Sequence, residues 1–126
     1  MKNVRVSAAV IHDGDYVYAT RRAYGAQKGW WEFPGGKQES GENGEEAVKR
    51  EIREELGVEL SVERFIGTVS CQYPEFYLVM DCYLCSINKG QPSLSVHDAA
   101  RWLDKSELRS LDWLPADLLV LDKLGL

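Results

Sequence analysis

The chain has 126 residues, of which 20 are acidic and 15 are basic, so its formal net charge is −5. This length predicts one domain over residues 1–126, and a hydrophobic content of 44% is sufficient for an ordinary core. The acidic balance disfavours nucleic acid as a partner, because that class needs a basic surface, and it disfavours an anionic membrane for the same reason.

The first part of the chain is predicted to be extended. Strands are expected at residues 4–11 and 16–21 around a turn at 12–15, then a loop at 22–31 and a short extended segment at 32–33. Pro34, Gly35 and Gly36 are expected to break regular structure.

A helix over residues 44–56 is the strongest prediction, and Gly57 is a natural place for it to end. The later expected elements are strands at 58–71 and 75–87, a loop at 88–95, a short strand at 100–103, a helical turn at 105–108 and a closing helix at 116–124. Alternating strands and helices of this kind predict an α/β fold, with helices packed on a mixed sheet.

Three cysteines, Cys71, Cys82 and Cys85, are too few for a disulfide scaffold. Cys82 and Cys85 are three residues apart in a strand-like run, which places them on opposite faces and predicts buried structural thiols. The chain has no signal-like N-terminal segment and no apolar run of the ~20 residues that cross a bilayer. These observations predict a cytoplasmic protein.

The whole excess of negative charge lies between residues 39 and 59, where eight carboxylates accompany three basic residues. An apolar stripe is expected along the helix at Val48, Ile52 and Leu56. At about 100° per residue, Glu51, Glu54 and Glu55 occupy an arc beside that stripe. Clustered like charges are unfavourable there unless a divalent cation binds them, so the arc is either a solvated acidic face or a metal site. Arg50 borders Glu54 and is placed to orient the carboxylates.

The spacing of these residues distinguishes the two interpretations. The chain has Gly36, then five residues, Glu42, seven residues, and the run Arg-Glu-Ile-Arg-Glu-Glu-Leu-Gly-Val at 50–58. Every constrained position resembles the Nudix box, G-x5-E-x7-R-E-U-x-E-E-x-G-U, in which U is a bulky aliphatic residue. Segments that resemble the flanks of MutT-type members lie at 20–23, 31–37 and 113–117. The resemblance implies a single Nudix domain, with its box at 36–58, folded as an α/β/α sandwich around a mixed β-sheet.

The resemblance also implies roles for individual residues. Glu51, Glu54 and Glu55 are the expected ligands of Mg²⁺, with Mn²⁺ as the alternative, and a carbonyl of Gly35 or Gly36 would complete the site. One carboxylate, Glu51 in the first instance, would also orient or deprotonate the attacking water, and Arg50 completes the catalytic set. The residues expected to contact the substrate are Arg22, Glu32, Phe33, Pro34, Gly35, Lys37 and Asp117.

Several positions keep two interpretations. Asp117 either reads the edge of a base or caps the closing helix. Related enzymes carry a further glutamate six residues before a late tryptophan, where this chain has Val96, so that ligand is missing or Asp98 replaces it. His97 is expected to be structural or to line a pocket. The aromatic residues that fit either a pocket wall or the core are Trp30, Phe33 and Trp113.

The activity implied by the resemblance is metal-dependent hydrolysis of nucleoside triphosphates to the monophosphate and pyrophosphate, which cleans the nucleotide pool. The first expected substrate is 8-oxo-dGTP, and CTP or a modified dCTP follows. Hydrolysis of ADP-ribose or dinucleoside polyphosphates is a further alternative, and a non-catalytic nucleotide sensor is disfavoured because the box glutamates are complete. The expected partner is a small nucleotide, and the protein is expected to be a monomer or a homodimer.

Overall fold

The structure is a computed structural model that describes residues 2–126. Its centre is a mixed sheet of β1 (Lys2–Asp13), β2 (Tyr16–Arg22), β3 (Trp31–Glu32), β4 (Gly35–Lys37), β5 (Glu59–Gln72), β6 (Phe76–Lys89) and β7 (His97–Leu103). The strand order is β3-β2-β1-β6-β5, with β4 also paired to β1 and β7 to β2. Strands β1 and β6 run parallel, and the other described pairs are antiparallel.

Two helices pack on this sheet, α1 (Gly44–Leu56) and α2 (Pro115–Leu124), and a short 3₁₀ helix covers Leu108–Ser110. Successive residues of β1 face opposite cores, so that Ala8 and Val10 pack in the core that contains α2. Ala9 and Ile11 pack in the core that contains α1. Burying both faces of the central strand requires a helix on each side, which confirms the predicted sandwich.

The cysteines follow the same alternation. Cys82 lies in the core with α2 and Cys85 in the core with α1, as predicted from their spacing. Burial raises the pKa of each thiol to about 12. Both side chains therefore stay protonated at neutral pH and act as small apolar residues.

Helix α1 has the predicted bounds because both of its ends are capped. Asn43 accepts a hydrogen bond from the Glu46 backbone, and the Glu46 side chain accepts one from the Asn43 backbone. Gly57 adopts the left-handed conformation at φ 72° and ends the helix. The apolar stripe is buried, as predicted.

Pro34, Gly35 and Gly36 were expected to break regular structure, and for the two glycines this prediction is wrong. They belong to the Gly35–Lys37 segment. It forms β4, with Val6 opposite Lys37 and Ala8 opposite Gly35. A Cβ atom at position 35 would lie 2.0 Å from the Ser7 carbonyl oxygen. Glycine is needed at this position because the two backbones approach closely, and the same glycine permits the pairing that the sequence did not indicate.

Smaller boundary predictions also change. Arg22, expected in a loop, is the last residue of β2, and β7 begins at His97 instead of residue 100. The predicted helical turn at 105–108 is a turn followed by the 3₁₀ helix. In residues 2–126, every helix is too short or too polar to cross a membrane.

Candidate active site

Two neighbouring cavities share Arg22, Glu32 and Gly35 in their walls. The acidic cavity, of about 360 Å³, is lined by Arg22, Ala23, Tyr24, Glu32, Gly35, Glu51, Glu54, Glu55, Val96 and His97. The apolar cavity, of about 330 Å³, is lined by Val4, Val6, Ser7, Ala8, Arg22, Gln27, Glu32, Phe33, Gly35, Gly36, Lys37, Tyr73, Phe76, Leu78, Met80, Leu114 and Asp117. Because the walls are shared, one elongated ligand can occupy both cavities.

The three helix glutamates line the acidic cavity at different depths. The side chains of Glu51 and Glu55 are 17% and 15% exposed, whereas that of Glu54 is 59% exposed. Burial, followed by the charges of Glu51 and Glu32, raises the pKa of Glu55 to about 8. The carboxylates of this site therefore repel one another, and a bound cation would relieve this repulsion.

Arg50 joins the carboxylates of this site to the preceding loop. Its guanidinium donates to Glu42 Oε2 from Nε at 2.7 Å and to Glu42 Oε1 from Nη2 at 3.0 Å. The Nη1 atom donates to Glu51 at 3.0 Å and to Glu54 at 3.2 Å. The Nη2 atom also donates to the Lys37 carbonyl oxygen at 3.0 Å. The hydrogen bond from Arg50 lowers the pKa of Glu42.

Gly36 allows the β4 segment to lie directly against the glutamates. A Cβ atom at this position would lie 2.3 Å from Glu51 Cδ. Any side chain would therefore push Glu51 away from the segment that carries the Gly35 and Gly36 carbonyls. The close approach explains why the pattern that begins with Gly36 needs a glycine there.

The donor set fits a hard divalent cation, because carboxylate and carbonyl oxygens are the ligands that Mg²⁺ prefers. Within residues 2–126, no three His, Cys, Asp or Glu side chains form a compact ligand set. The hydrogen bonds of Arg50 hold Glu51 and Glu54, and Glu55 lies on the side of His97, whose Nε2 is 3.9 Å from its Oε2. The Glu51 side chain also lies within hydrogen-bond reach of Glu55, so these two carboxyls already adjoin, and only Glu54 would have to turn from Arg50 to join them.

Glu32 connects the two cavities. Its carboxylate accepts hydrogen bonds from Arg22 Nη1 at 3.1 and 3.4 Å, and its Oε2 lies 3.0 Å from His97 Nε2. Arg22 Nε and His97 Nδ1 are both buried without a hydrogen-bond partner among the described residues. Arg22 Nε is a donor, and His97 Nδ1 is an acceptor when Nε2 donates to Glu32. Unpaired polar atoms on residues that line a cavity favour a polar or anionic ligand there.

Asp98 does not take the place of the glutamate that related enzymes carry. Its Oδ1 accepts a hydrogen bond from Arg21 Nε at 2.7 Å, and both side chains are partly exposed. Arg21 pairs with Ala99 and Arg22 pairs with His97, so Asp98 is the extra residue of a bulge. The bulge places Val96 and His97 in the wall of the acidic cavity instead.

Asp117 is buried in the apolar cavity and does not cap the helix, so the cap interpretation is wrong. The N-cap is Leu114, and Asp117 lies in the first turn. Its Oδ1 accepts a hydrogen bond from the Phe33 backbone N–H at 2.8 Å. Burial, followed by the charge of Glu32, raises the pKa of Asp117 well above its ordinary value.

The aromatic residues divide between the two predicted roles. Phe33 is buried and also lines the apolar cavity, with its ring 4.7 Å from that of Trp113. Trp113 belongs to the core and donates from Nε1 to the Leu108 carbonyl, whereas Trp30 is largely exposed. Pro34 is fully buried, and its carbonyl oxygen accepts a hydrogen bond from Ala9.

Two functional candidates, Glu42 and Tyr73, were not assigned from the sequence, and His97, which was expected to be structural or to line a pocket, does line the acidic cavity. Glu42 is the partner of Arg50, and its fixed place in the box was the available signal. His97 contacts Glu32, and Tyr73 receives a hydrogen bond from the Ala116 backbone at the start of α2. Nothing in the local sequence pattern indicates either of these long-range contacts.

Comparison with known proteins gives matches over nearly the whole chain. The NUDIX domain family matches residues 1–125. CTP pyrophosphohydrolase of Escherichia coli K12 is 32% identical over 123 residues, covering 97% of this chain and 91% of the relative. 8-oxo-dGTP diphosphatase of the same strain is 29% identical over 126 residues, covering 98% of each chain.

Solved structures also match this fold over nearly the whole chain. The solution structure of the E. coli ORF135 protein has a TM-score of 0.84 at 29% identity, covering 99% of this chain and 90% of the other. The crystal structure of a MutT NUDIX hydrolase from Burkholderia pseudomallei has a TM-score of 0.86 at 26% identity, covering 98% of this chain and 99% of the other.

Proposed function

This chain belongs to the Nudix hydrolase family, and from that premise we propose that it hydrolyses nucleoside triphosphates to the monophosphate and pyrophosphate. The observation that carries the proposal is the shared wall of the two cavities. A triphosphate fits the acidic cavity once cations accompany it, and its base fits the adjoining apolar cavity.

The proposed metal ligands are Glu51, Glu54, Glu55 and a carbonyl of Gly35 or Gly36, with Mg²⁺ as the first candidate and Mn²⁺ as the alternative. When bound there, the ion neutralises phosphate charge and lowers the pKa of water.

The protein's own residues orient the reactants. Arg22 presents its guanidinium to the phosphates, with Nε available and Nη1 bonded to Glu32. Arg50 fixes Glu51 and Glu54 through Nη1. Glu51 is proposed to accept a proton from the attacking water, and Lys37 lies at the rim of the apolar cavity, where it can contact the substrate.

Base recognition is proposed for Asp117. One of its oxygens is occupied by the Phe33 backbone, and the carboxyl lies in the apolar cavity. A carboxylate accepts hydrogen bonds from the N1–H and N2–H₂ of guanine or the N4–H₂ of cytosine. Because its pKa is raised, Asp117 also holds a proton more readily, so it can donate to an acceptor on the same base edge.

The substrate that we propose first is 8-oxo-dGTP, which is supported by the similarity to an 8-oxo-dGTP diphosphatase. CTP or a modified dCTP is the second, supported by the 32% identity with CTP pyrophosphohydrolase. The corresponding cellular role is sanitation of the nucleotide pool.

The test is a substrate panel of 8-oxo-dGTP, dGTP, CTP, 5-methyl-dCTP, ADP-ribose and a dinucleoside polyphosphate, assayed with Mg²⁺ and with EDTA. We expect pyrophosphate release from a triphosphate with Mg²⁺, and none with EDTA. Absence of pyrophosphate from every triphosphate would contradict the proposal. Cleavage of only ADP-ribose or the dinucleoside polyphosphate would replace it with hydrolysis of that class of substrate.

Changing Asp117 to Asn is expected to alter the ranking of bases more than it alters kcat on the best one. Asparagine keeps an oxygen for the Phe33 backbone but presents an amide to the ligand instead of a carboxyl. The measurement is kcat/KM across the panel. Asp122→Asn is the matched control, because Asp122 lies on the same helix, is exposed and pairs with Arg109. An unchanged ranking in Asp117→Asn would contradict base recognition by this residue.

A further inference from the structure

Asp81 is a buried carboxylate on β6 that takes no part in the wall of either cavity as described. It is 5% exposed and accepts four hydrogen bonds from three side chains, two on strands and one in a loop. Arg5 on β1 donates to both of its oxygens at 3.0 Å, and Thr68 on β5 donates to Oδ1 at 2.6 Å. Gln38, directly after β4, donates to Oδ2 at 2.7 Å.

The contact with Gln38 reaches both ends of the loop that leads into α1. The Gln38 amide also donates to Ser7 Oγ at 3.1 Å, and Ser7 Oγ donates to the Gly44 carbonyl oxygen at 2.8 Å. Gly44 is the first residue of α1. Residues 38 and 44, which bound the loop, are therefore tied to one point on the sheet.

This loop and the strand before it determine where the glutamates lie. Gly36 packs against the Glu51 carboxylate, and the Lys37 carbonyl oxygen accepts a hydrogen bond from Arg50. Within the loop, Glu42 holds the other side of the same guanidinium. A shift of the loop would move the glycine carbonyls and Arg50 relative to Glu51.

A buried charge is unfavourable unless opposite charges and hydrogen bonds compensate for its loss of hydration. Burial acts to raise the pKa of Asp81, but hydrogen bonds from Arg5, Thr68 and Gln38 outweigh it and leave the pKa below its ordinary value. The carboxylate is thus ionised, and each of its oxygens accepts two hydrogen bonds. Its hydrogen bond to the loop therefore has the strength of a charge-assisted contact.

We propose that Asp81 is a positioning residue that acts through Gln38 and Ser7 to hold the 38–44 loop, and with it the carbonyl and carboxylate ligands, in a cation-binding arrangement. The inference rests on the proposed function, because it concerns the cation site of that function. It adds Ser7 on β1, Asp81 on β6 and Gln38 in the loop to the residues that determine metal affinity. None of the three is a proposed metal ligand.

The test is Mn²⁺ binding by the full chain without nucleotide, followed by electron paramagnetic resonance. Gln38→Met removes the amide that bonds Asp81 and Ser7 while keeping similar length. Asp81→Asn removes the charge and leaves one acceptor oxygen for the donors of Arg5, Thr68 and Gln38. Each change is expected to raise the Mn²⁺ dissociation constant by about tenfold, the lower range for residues that support metal ligands.

Thr68→Val is the matched control. It removes a hydrogen bond to the same carboxylate but leaves the contact with Gln38 in place. We expect it to lower Tm while Mn²⁺ affinity stays within twofold of wild type. The double variant Asp81→Asn with Gln38→Glu restores a hydrogen bond with donor and acceptor exchanged, and it is expected to recover part of the lost affinity.

Two results would overturn the inference, namely wild-type affinity in Gln38→Met or an equal loss of affinity in Thr68→Val. Hydrogen exchange of the backbone amides of residues 38–47, measured without metal, separates this inference from the proposed function. Faster exchange in Gln38→Met supports the loop contact even if the wild type binds no Mn²⁺, a result that would contradict the proposed metal site alone. Unchanged exchange would contradict the loop contact.

Discussion

Replacing Glu55 by glutamine is expected to lower kcat for nucleotide hydrolysis by on the order of 100-fold or more, since even groups that support metal ligands cost 10- to 100-fold. Glutamine keeps the size of the side chain but cannot supply an anionic oxygen to the ion. The matched control is Glu45→Gln, because Glu45 lies on the same helix and forms only an exposed ion pair with Lys49. Wild-type kcat in Glu55→Gln would contradict the proposed ligand set.

The same substitution is expected to stabilise the protein in the absence of metal. The folded pKa of Glu55, about 8, lies above its ordinary value, so the stability that its proton contributes is complete below about pH 4 and is lost as the pH rises through 8. Glutamine is never ionised and avoids this loss. Thermal unfolding in EDTA should show a higher Tm for Glu55→Gln at pH 8.5 and little difference at pH 4.5.

Changing Arg50 to lysine is expected to give the second large effect, a loss of kcat of about tenfold or more. A lysine ammonium cannot make the two-pronged contact with Glu42 and also reach Glu51, Glu54 and the Lys37 carbonyl. The carboxylates would keep their chemistry but lose their fixed positions. The measurement is kcat, together with the Mg²⁺ concentration that gives half-maximal activity.

Arg53→Lys provides the control for this prediction. Arg53 lies three residues later on α1 and also makes a two-pronged contact with a glutamate, Glu59, at 2.8 and 3.0 Å. That pair is exposed and apart from both cavities, and exposed ion pairs contribute little to stability. If Arg53→Lys lost as much activity as Arg50→Lys, general weakening of the helix would explain both results.

The carboxylate arc could be predicted from the sequence because helical periodicity fixes the angle of every residue once the helix is located. Asn43 and Gly57 set the two ends of α1, so the positions of Glu51 and Glu55 beside the buried stripe followed directly. The alternation of β1 and the separation of Cys82 from Cys85 could be predicted in the same way from strand periodicity.

Contacts between distant parts of the chain could not be predicted in this way. The bulge opposite Arg21 and Arg22 reverses which of His97 and Asp98 faces the site, and no local pattern indicates a bulge there. The cap alternative for Asp117 arose because only its neighbours in sequence were visible, whereas its partner, Phe33, lies far away in sequence. No sequence pattern indicates the role of Asp81 either, because its partners Arg5, Thr68 and Gln38 lie far from it or from one another in sequence.

The parallel pairing of β1 with β6 has a consequence for how the protein is made. Lys2 lies opposite Phe76 and Ile11 opposite Cys85, so the central strand has no neighbour on that side until the chain has been synthesised past the site. At about 5 to 20 residues per second, the nascent chain carries its complete acidic helix for about 1 to 4 seconds before β6 begins to emerge from the ribosome. During that interval β1 and α1 lack the apolar residues that β5 and β6 contribute to the two cores. Such non-local pairing folds slowly, and the uncovered apolar residues and unpaired strand edge expose the chain to aggregation until β6 arrives.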